Sequence, residues 1–327
     1  MVEVYPNIFM EKIPLTGNPL KELNCYILKG KRRNLVIDVG FDLAEGREKI
    51  KNALRTLECK PEDTDLFITH AHEDHIGAMQ TLKEEGCFYN VFISEQEAHF
   101  YNSLRTCGLR RQIVQMAAWE GFCKEEGEQA FLVHPGNQLV GGMQPVSFVT
   151  VREGDMIDLG GFSLQIYIFP GHTMGLGALY EKDKKLLFAG DHILGRITPN
   201  IAFWRLDFDA LGSYMDSLAR ADELSVDHLF SAHRDLIPDM HARIHQLLAH
   251  HENRLKDVQN TLAYNGRLTV CQVAEGMKWD YAGGDFRRFA LTQKWFAAGE
   301  AFSHLEHLYR RGNVRREEED GTFYYFI

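Results

Sequence analysis

Residues 69–77 read "THAHEDHIG". His70, His72, Asp74 and His75 fall within this one short stretch. A buried core would have to satisfy every one of those polar rings, and a solvated loop has little use for them. Metal ligation is the reading that uses them all. His70 and His72 stand at i and i+2, so they cannot share a helix face, but they point the same way from extended chain. Asp74 and His75 follow at once and can serve a second cation. The helical H-E-x-x-H arrangement has its histidines at i and i+4, a spacing "HEDH" lacks. Glu73 is left between ligands and is expected to face outward.

The residues before His70, "TDLFITH" (64–70), read as a buried strand that empties onto the histidine. The same design recurs in "FSLQIYIFPGHT" (162–173), "KKLLFAGDH" (184–192) and "VDHLFSAHRDLI" (226–237). Each apolar run ends on a residue able to bind metal: His70, His172, Asp191 and His233. "NCYILKG" (24–30) and "RNLVIDVG" (33–40) read as a hairpin of buried strands. "AEGREKIKNALRTLE" (44–58) has helical apolar spacing, the stretch from His75 towards Gly86 looks helical, and residues 95–130 predict two helices.

After residue 240 the pattern changes. Residues 241–266 predict a long helix. Residues 268–277 predict a short one capped by Thr269 with Gln272 three positions on, and residues 291–313 predict another. A D-G turn at 320–321 inside "VRREEEDGTFYYFI" predicts a closing hairpin. This is a winged-helix order of elements.

Composition narrows the class. The 327 residues are 45% hydrophobic, enough for a substantial core, with a formal charge of -10 that disfavours non-specific coating of nucleic acid. Six cysteines form no C-x-x-C pair, so neither a redox motif nor a cysteine zinc ribbon is expected. No basic-then-apolar leader and no long apolar run is present, so the expectation is a cytoplasmic protein without a membrane span.

His70-x-His72-x-Asp74-His75, Gly-His-Thr at His172, Gly-Asp at Asp191 and a late His233 together resemble the signature of the metallo-β-lactamase superfamily. The resemblance covers roughly residues 1–237. The later residues, and "GRITPNI" at 195–201, resemble the branch with a winged-helix appendage. The resemblance implies an α/β fold, a four-layer αββα sandwich, with a catalytic domain over 1–237 and a mainly helical winged-helix-like subdomain over 240–327. It implies that His70, His72 and His172 hold one metal and that Asp74, His75 and His233 hold a second. Asp191 would bridge the two, with a water or hydroxide between them, and Asp74 and Asp191 would carry catalysis. The cofactors would be two divalent transition-metal ions, zinc first, with manganese or iron as alternatives, since no thiol is at a ligand position. Structural zinc sites tend to be closed and cysteine-rich, which disfavours a purely structural role.

The implied activity is hydrolysis of a small ester, thioester or lactone. The alternative is a nuclease whose winged helix guides RNA, with Arg287, Arg288, Arg310, Arg311, Arg315 and Arg316 as a basic patch that "EEED" (317–320) partly neutralises. His192 and Arg196 are expected substrate contacts. Asp38 is expected to orient a ligand histidine. His228, His241, His245, His250 and His251 are expected at the surface, and a homodimer is a further expectation.

Overall fold

The apolar runs pair into two sheets. The first has seven strands in chain order: β1 (Val2–Tyr5), β2 (Ile8–Pro14), β3 (Glu22–Lys29), β4 (Asn34–Ile37), β5 (Thr64–Ile68), β6 (Val91–Ser94) and β7 (Val149–Val151). The second runs β12-β11-β10-β9-β8, from β8 (Met156–Asp158), β9 (Ser163–Ile168), β10 (Gly177–Glu181), β11 (Leu186–Gly190) and β12 (His228–Ser231). A computed structural model describes residues 1–106, 109–122, 124–133, 146–279 and 285–327. Strands β1, β2, β6, β8 and β10 were not read from the sequence as separate elements.

Between the sheets, alternate residues interlock: Tyr26, Leu28, Leu35, Ile37 and Phe67 from one, Leu164, Ile166, Leu179, Phe188 and Phe230 from the other. The outer face of the first sheet, with Val36, Leu66 and Ile68, packs on α1 (Ala44–Thr56), α3 (Met79–Glu84) and α4 (Glu95–Thr106). The single turn α2 (Glu73–Ile76) lies between α1 and α3 in the chain. β4 and β5 are buried on both faces, which is why they read as continuous apolar runs rather than alternating ones.

Residues 95–130 fold differently from expectation. They begin α4 and continue into α5 (Leu109–Glu120) and α6 (Lys124–Val133), three helices where two were expected. Gly121, at φ 93, ends α5 in a conformation that side-chain-bearing residues rarely adopt. The Thr269 side chain would lie 3.0 Å from any Cβ there.

The outer face of the second sheet, with Ala178, Leu187, Ala189 and Leu229, packs on α7 (Ala210–Asp222) and α8 (Met240–Asn265). Helix, sheet, sheet and helix are thus stacked in four layers. Beyond α8 come β13 (Leu268–Thr269), α9 (Val270–Gly276), α10 (Leu291–Arg310), β14 (Arg315–Glu319) and β15 (Thr322–Phe326). Thr269 and Gln272 form the capping box, and the last hairpin turns at Asp320 and Gly321, both at positive φ. β13, β15 and β14 make a separate three-stranded sheet. Phe302, Leu305, Phe323 and Tyr325 belong to the same apolar cluster as Ile113 and Ala117 of α5 and the outer face of the second sheet.

Three of the six arginines of the expected basic patch meet carboxylates. Arg287 meets Glu275 and Asp285, each at 3.3 Å, and Arg288 meets Asp285 at 3.6 Å. Arg316 bonds Glu306 at 2.6 Å and lies over the rings of Tyr309 and Phe323. Arg310 donates to the Leu206 carbonyl. The three carboxylate-paired arginines offset part of the positive charge an RNA backbone would need. Among the described residues, no helix is long and apolar enough to cross a membrane.

Glu120, at the end of α5, stands against the apolar character of this outer layer. It is 0% exposed, and among the described residues neither carboxylate oxygen has a hydrogen-bond partner. Burial pushes its carboxyl well above the usual value of 4.5. The folded state therefore keeps a proton that the unfolded chain releases. That contribution is fully present below the unfolded pKa and is lost as pH rises towards the folded one, at about 1.4 kcal/mol per pH unit within that window. Glu120→Gln is expected to raise Tm, and to raise it more at pH 8 than at pH 5. Thermal melts of both proteins across that range check it; an equal shift at both pH values would contradict it.

Candidate metal centre

Parallel pairing brings the candidate ligands to one edge of the sandwich. In the first sheet Ile37 pairs with Phe67, which sets Asp38 level with Ile68 and one residue from Thr69 at the ends of β4 and β5. In the second, Phe188 pairs with Phe230, so Asp191 and His233 leave β11 and β12 together. The sheets meet at Gly190, φ 53, where Thr69 side-chain atoms would lie 3.0 Å from an added Cβ. A larger residue there would push on Thr69.

Four of the five rings are oriented from behind. Asp38 accepts from the Thr69 backbone N–H at 2.8 Å, from the Thr69 hydroxyl at 2.8 Å and from His75 Nδ1 at 2.7 Å. The Thr69 oxygen, its hydrogen given to Asp38, receives His70 Nδ1 at 3.0 Å. His172 Nδ1 donates to the Asn200 carbonyl at 2.8 Å, and His233 Nδ1 to the Glu22 carbonyl at 2.9 Å. These outward hydrogens fix the tautomer of His70, His75, His172 and His233, so Nε2 of those four rings turns inward as a lone pair, while His72 presents Nδ1. Asp38 thus orients a histidine, as its loop position suggested.

The inward atoms converge in two groups. His70 Nε2 is 2.9 Å from His72 Nδ1, which is 3.1 Å from His172 Nε2. In the second group His233 Nε2 is 3.3 Å from His75 Nε2 and 3.5 Å from Asp74 Oδ2. Asp191 faces both: its Oδ1 is 3.5 Å from His233 and 3.6 Å from His75, and its Oδ2 is 3.8 Å from His172. Ligands about 2.1 Å from a tetrahedral zinc are about 3.4 Å from one another, close to these separations.

The electrostatics fit cation binding. Burial, with the neighbouring His172 ring, pushes His72 down to about 3, and burial with His75 pushes His70 well below its usual value. Both are neutral ligands at neutral pH. Burial opposes ionisation of Asp191, but His233 and His75 outweigh it and hold the carboxyl low. Asp191 Oδ1 is buried without a hydrogen-bond partner, an orphaned acceptor that a cation would satisfy. The donor set is nitrogen and oxygen only, which suits zinc, manganese or iron.

All seven expected ligand residues therefore meet; the two expected substrate contacts do not join them. His192 is 0% exposed, stacked on Phe169 at 4.5 Å and edge-on to Tyr214 at 5.3 Å. Closed in by aromatic rings, it packs the core and offers no face to a substrate. Arg196 sits outside, paired with Asp235 at 3.0 Å. Glu73 is half-buried rather than turned fully outward; burial and Asp74 push its carboxyl up to about 7, and it belongs to none of the donor groups. His251, expected at the surface, is buried against His304 at 3.2 Å, because α8 is covered by α10.

Sequence reading missed several residues. Glu97, buried on α4, accepts from Ala71 N at 2.8 Å and Gly175 N at 2.9 Å, tying the His70–His72 loop to the His172 loop. Its only signal is the S-x-x-E spacing from Ser94, a capping pattern whose glutamate here reaches outward instead of back. Trp204 stacks on His72 at 5.8 Å, meets Phe100 edge-on at 5.6 Å and donates Nε1–H to the His172 carbonyl at 3.1 Å. Its segment is fastened to α10: Ser303 donates to the Ile201 carbonyl at 2.5 Å, Phe203 N–H to the Gly299 carbonyl at 3.0 Å, and Phe203 stacks on Phe302 at 3.9 Å.

Comparison with known proteins gives the same outline. Residues 21–233 match the family described as the metallo-beta-lactamase superfamily, and residues 286–326 match the metallo-beta-lactamase-like C-terminal domain. The Beta-lactamase-like protein 2 homolog of Caenorhabditis elegans is 22% identical over 255 residues, 78% of this chain and 70% of that protein. The human acyl-coenzyme A thioesterase MBLAC2 is 25% identical over 211 residues, 62% of this chain and 67% of that one. A solved metallo-beta-lactamase family protein of Thermus thermophilus superposes with a TM-score of 0.80 at 25% identity, covering 99% of both chains. A beta-lactamase domain protein of Burkholderia ambifaria gives a TM-score of 0.81 at 22% identity, covering 99% of this chain and 94% of that one.

Asp38→Asn keeps the shape but leaves one acceptor oxygen for three donors. It is expected to weaken metal binding about 10–100-fold, the usual range for residues behind a ligand, while Glu73→Gln changes it little. Chelator competition on both variants is the measurement; equal losses would overturn the ligand assignment.

Proposed function

The chain belongs to the metallo-beta-lactamase superfamily, and from that premise we propose a dinuclear, metal-dependent hydrolase acting on a small ester, thioester or lactone, with a thioester first. The observation that carries the dinuclear reading is the division of Asp191: one oxygen towards His75 and His233, the other towards His172. In this reading His70, His72 and His172 would hold one ion and Asp74, His75 and His233 the other, with Asp191 facing both groups. Ions held there would supply a bound water of lowered pKa and polarisation of the scissile carbonyl.

The chain's own residues do the rest. Asp191 keeps the two donor groups together and offsets the charge placed between them. Asp74, the more exposed of the two carboxylates at 14% against 8% for its side chain, would be the acceptor for a proton from a water at the site. Trp204 and Phe100 form an aromatic wall beside His72, a surface suited to an apolar acyl group. The likeness to a protein named as an acyl-coenzyme A thioesterase supports a thioester within the wider class.

Three outcomes are expected. Protein prepared without chelator holds two transition-metal ions per chain by elemental analysis; a fully loaded sample with one would sink the dinuclear reading. Asp191→Asn loses affinity for at least one ion, and turnover falls to near background. In a panel of thioester, lactone and phosphodiester substrates the thioesters are turned over fastest, and Trp204→Ala lowers kcat/KM about tenfold more for a long acyl chain than for acetyl. A variant that penalises both equally would remove the acyl-wall role.

A further inference from the structure

An open depression of about 590 Å³ lies beside the metal centre. Its walls carry Lys12, Lys21, Arg196 and Arg234 against two carboxylates, Glu22 and Asp235. On a chain with a formal charge of -10, this is a local reversal of sign. Glu22 is taken up by Lys12 at 3.1 Å and Asp235 by Arg196 at 3.0 Å. That leaves Lys21 and Arg234. Among the described residues neither meets a carboxylate; the Arg234 guanidinium donates only to the neutral Pro19 carbonyl, at 2.8 Å.

The backbone under both cations is unusual in the same way. Lys21 and Arg234 each have φ 68, the left-handed region that costs an ordinary residue on the order of 1 kcal/mol or more. Both adjoin the hydrogen bond between His233 Nδ1 and the Glu22 carbonyl. Asn24 holds the Arg234 carbonyl at 2.9 Å and the Ser231 carbonyl at 3.1 Å. Arg234 thus directly follows His233 of the second donor group, and Lys21 directly precedes Glu22, whose carbonyl holds the outer nitrogen of that ring. His72 and Trp204 lie at the first donor group.

We infer that this groove is a binding site for the phosphate-bearing portion of the substrate, engaged by Lys21 and Arg234 while the scissile bond lies at the metal centre. The inference rests on the thioester reading and extends it: the substrate carries phosphate on its thiol side, as a coenzyme A thioester does. A volume of about 590 Å³ is in the range of small-molecule sites. A guanidinium and an ammonium are the donors suited to phosphate.

The test uses the metal-loaded enzyme with Lys21→Gln, Arg234→Gln and, as a charge control outside the groove, Lys256→Gln. Metal content is measured for each, so that any displacement of His233 is seen directly. Each is assayed with an acyl-coenzyme A and with the same acyl group on N-acetylcysteamine, which has no phosphate. Binding of adenosine 3′,5′-bisphosphate is followed by calorimetry. The expected result is a fall in kcat/KM for the coenzyme A thioester about tenfold larger than for the phosphate-free thioester, with bisphosphate binding weakened about tenfold, in both groove variants. Lys256→Gln changes neither. Equal losses on the two thioesters, or bisphosphate binding that is absent or unchanged by the groove substitutions, overturn the groove while leaving a thioesterase standing. Bisphosphate binding that depends on Arg234 in an enzyme that hydrolyses no thioester sustains the groove and removes the thioester reading.

Discussion

A single carboxylate, Asp38, holds the centre in register. It accepts three hydrogen bonds, from the Thr69 amide, the Thr69 hydroxyl and His75 Nδ1, and through Thr69 it governs His70 as well. One rigid group therefore sets the direction of one histidine in each donor cluster. The residue sits at φ 57 and is 1% exposed. Both conditions are costly: a left-handed backbone for an ordinary side chain and a carboxylate taken out of water. Three donors on one carboxylate offset that cost. Thr69 also meets Gly190 of the other sheet, so the same point fixes the distance between the sheets at the site.

Around that point the protein concentrates groups that repel or compete for protons. Five imidazoles and two carboxylates lie within a few bond lengths, most of them buried. Burial drives His70 and His72 towards the neutral, metal-binding form, while the carboxylates stay ionised beside His75 and His233. Such an arrangement is poor for stability without cations and good for holding them. A second buried carboxylate, Glu97, performs for the His72 and His172 loops what Asp38 performs for His70 and His75.

The C-terminal helix reaches this machinery through one short segment. Asn200 gives the carbonyl that orients His172, and Trp204 lies on His72. Between them, Ile201 and Phe203 are fastened to Ser303, Gly299 and Phe302 of α10. One wall of the site is therefore positioned by residues about a hundred positions away in the chain. The outer helical layer and the metal loops share a mechanical connection, whatever else the C-terminal region does.

What the sequence determined by itself was local chemistry and period. Apolar runs ending on His70, His172, Asp191 and His233 declare strands whose ends carry side chains able to bind metal, because strand period and residue chemistry are both written within a few residues. The capping box at Thr269 and the turn at Asp320-Gly321 were legible for the same reason. Tertiary structure decided what depends on partners distant in the chain. His192 is chemically identical to a ligand histidine, and only the rings of Phe169 and Tyr214 closing over it make it core. His251 looked solvated until α10 covered α8. Glu97 carries no metal-ligand pattern, and Trp204 no periodicity; each acquires its role through a contact to a loop elsewhere in the chain. The arginines of the C-terminal region counted as charge in the sequence, and in the fold Arg287, Arg288 and Arg316 share that charge with carboxylate partners. A residue's chemistry is local, whereas its burial and its partners are properties of how distant segments meet.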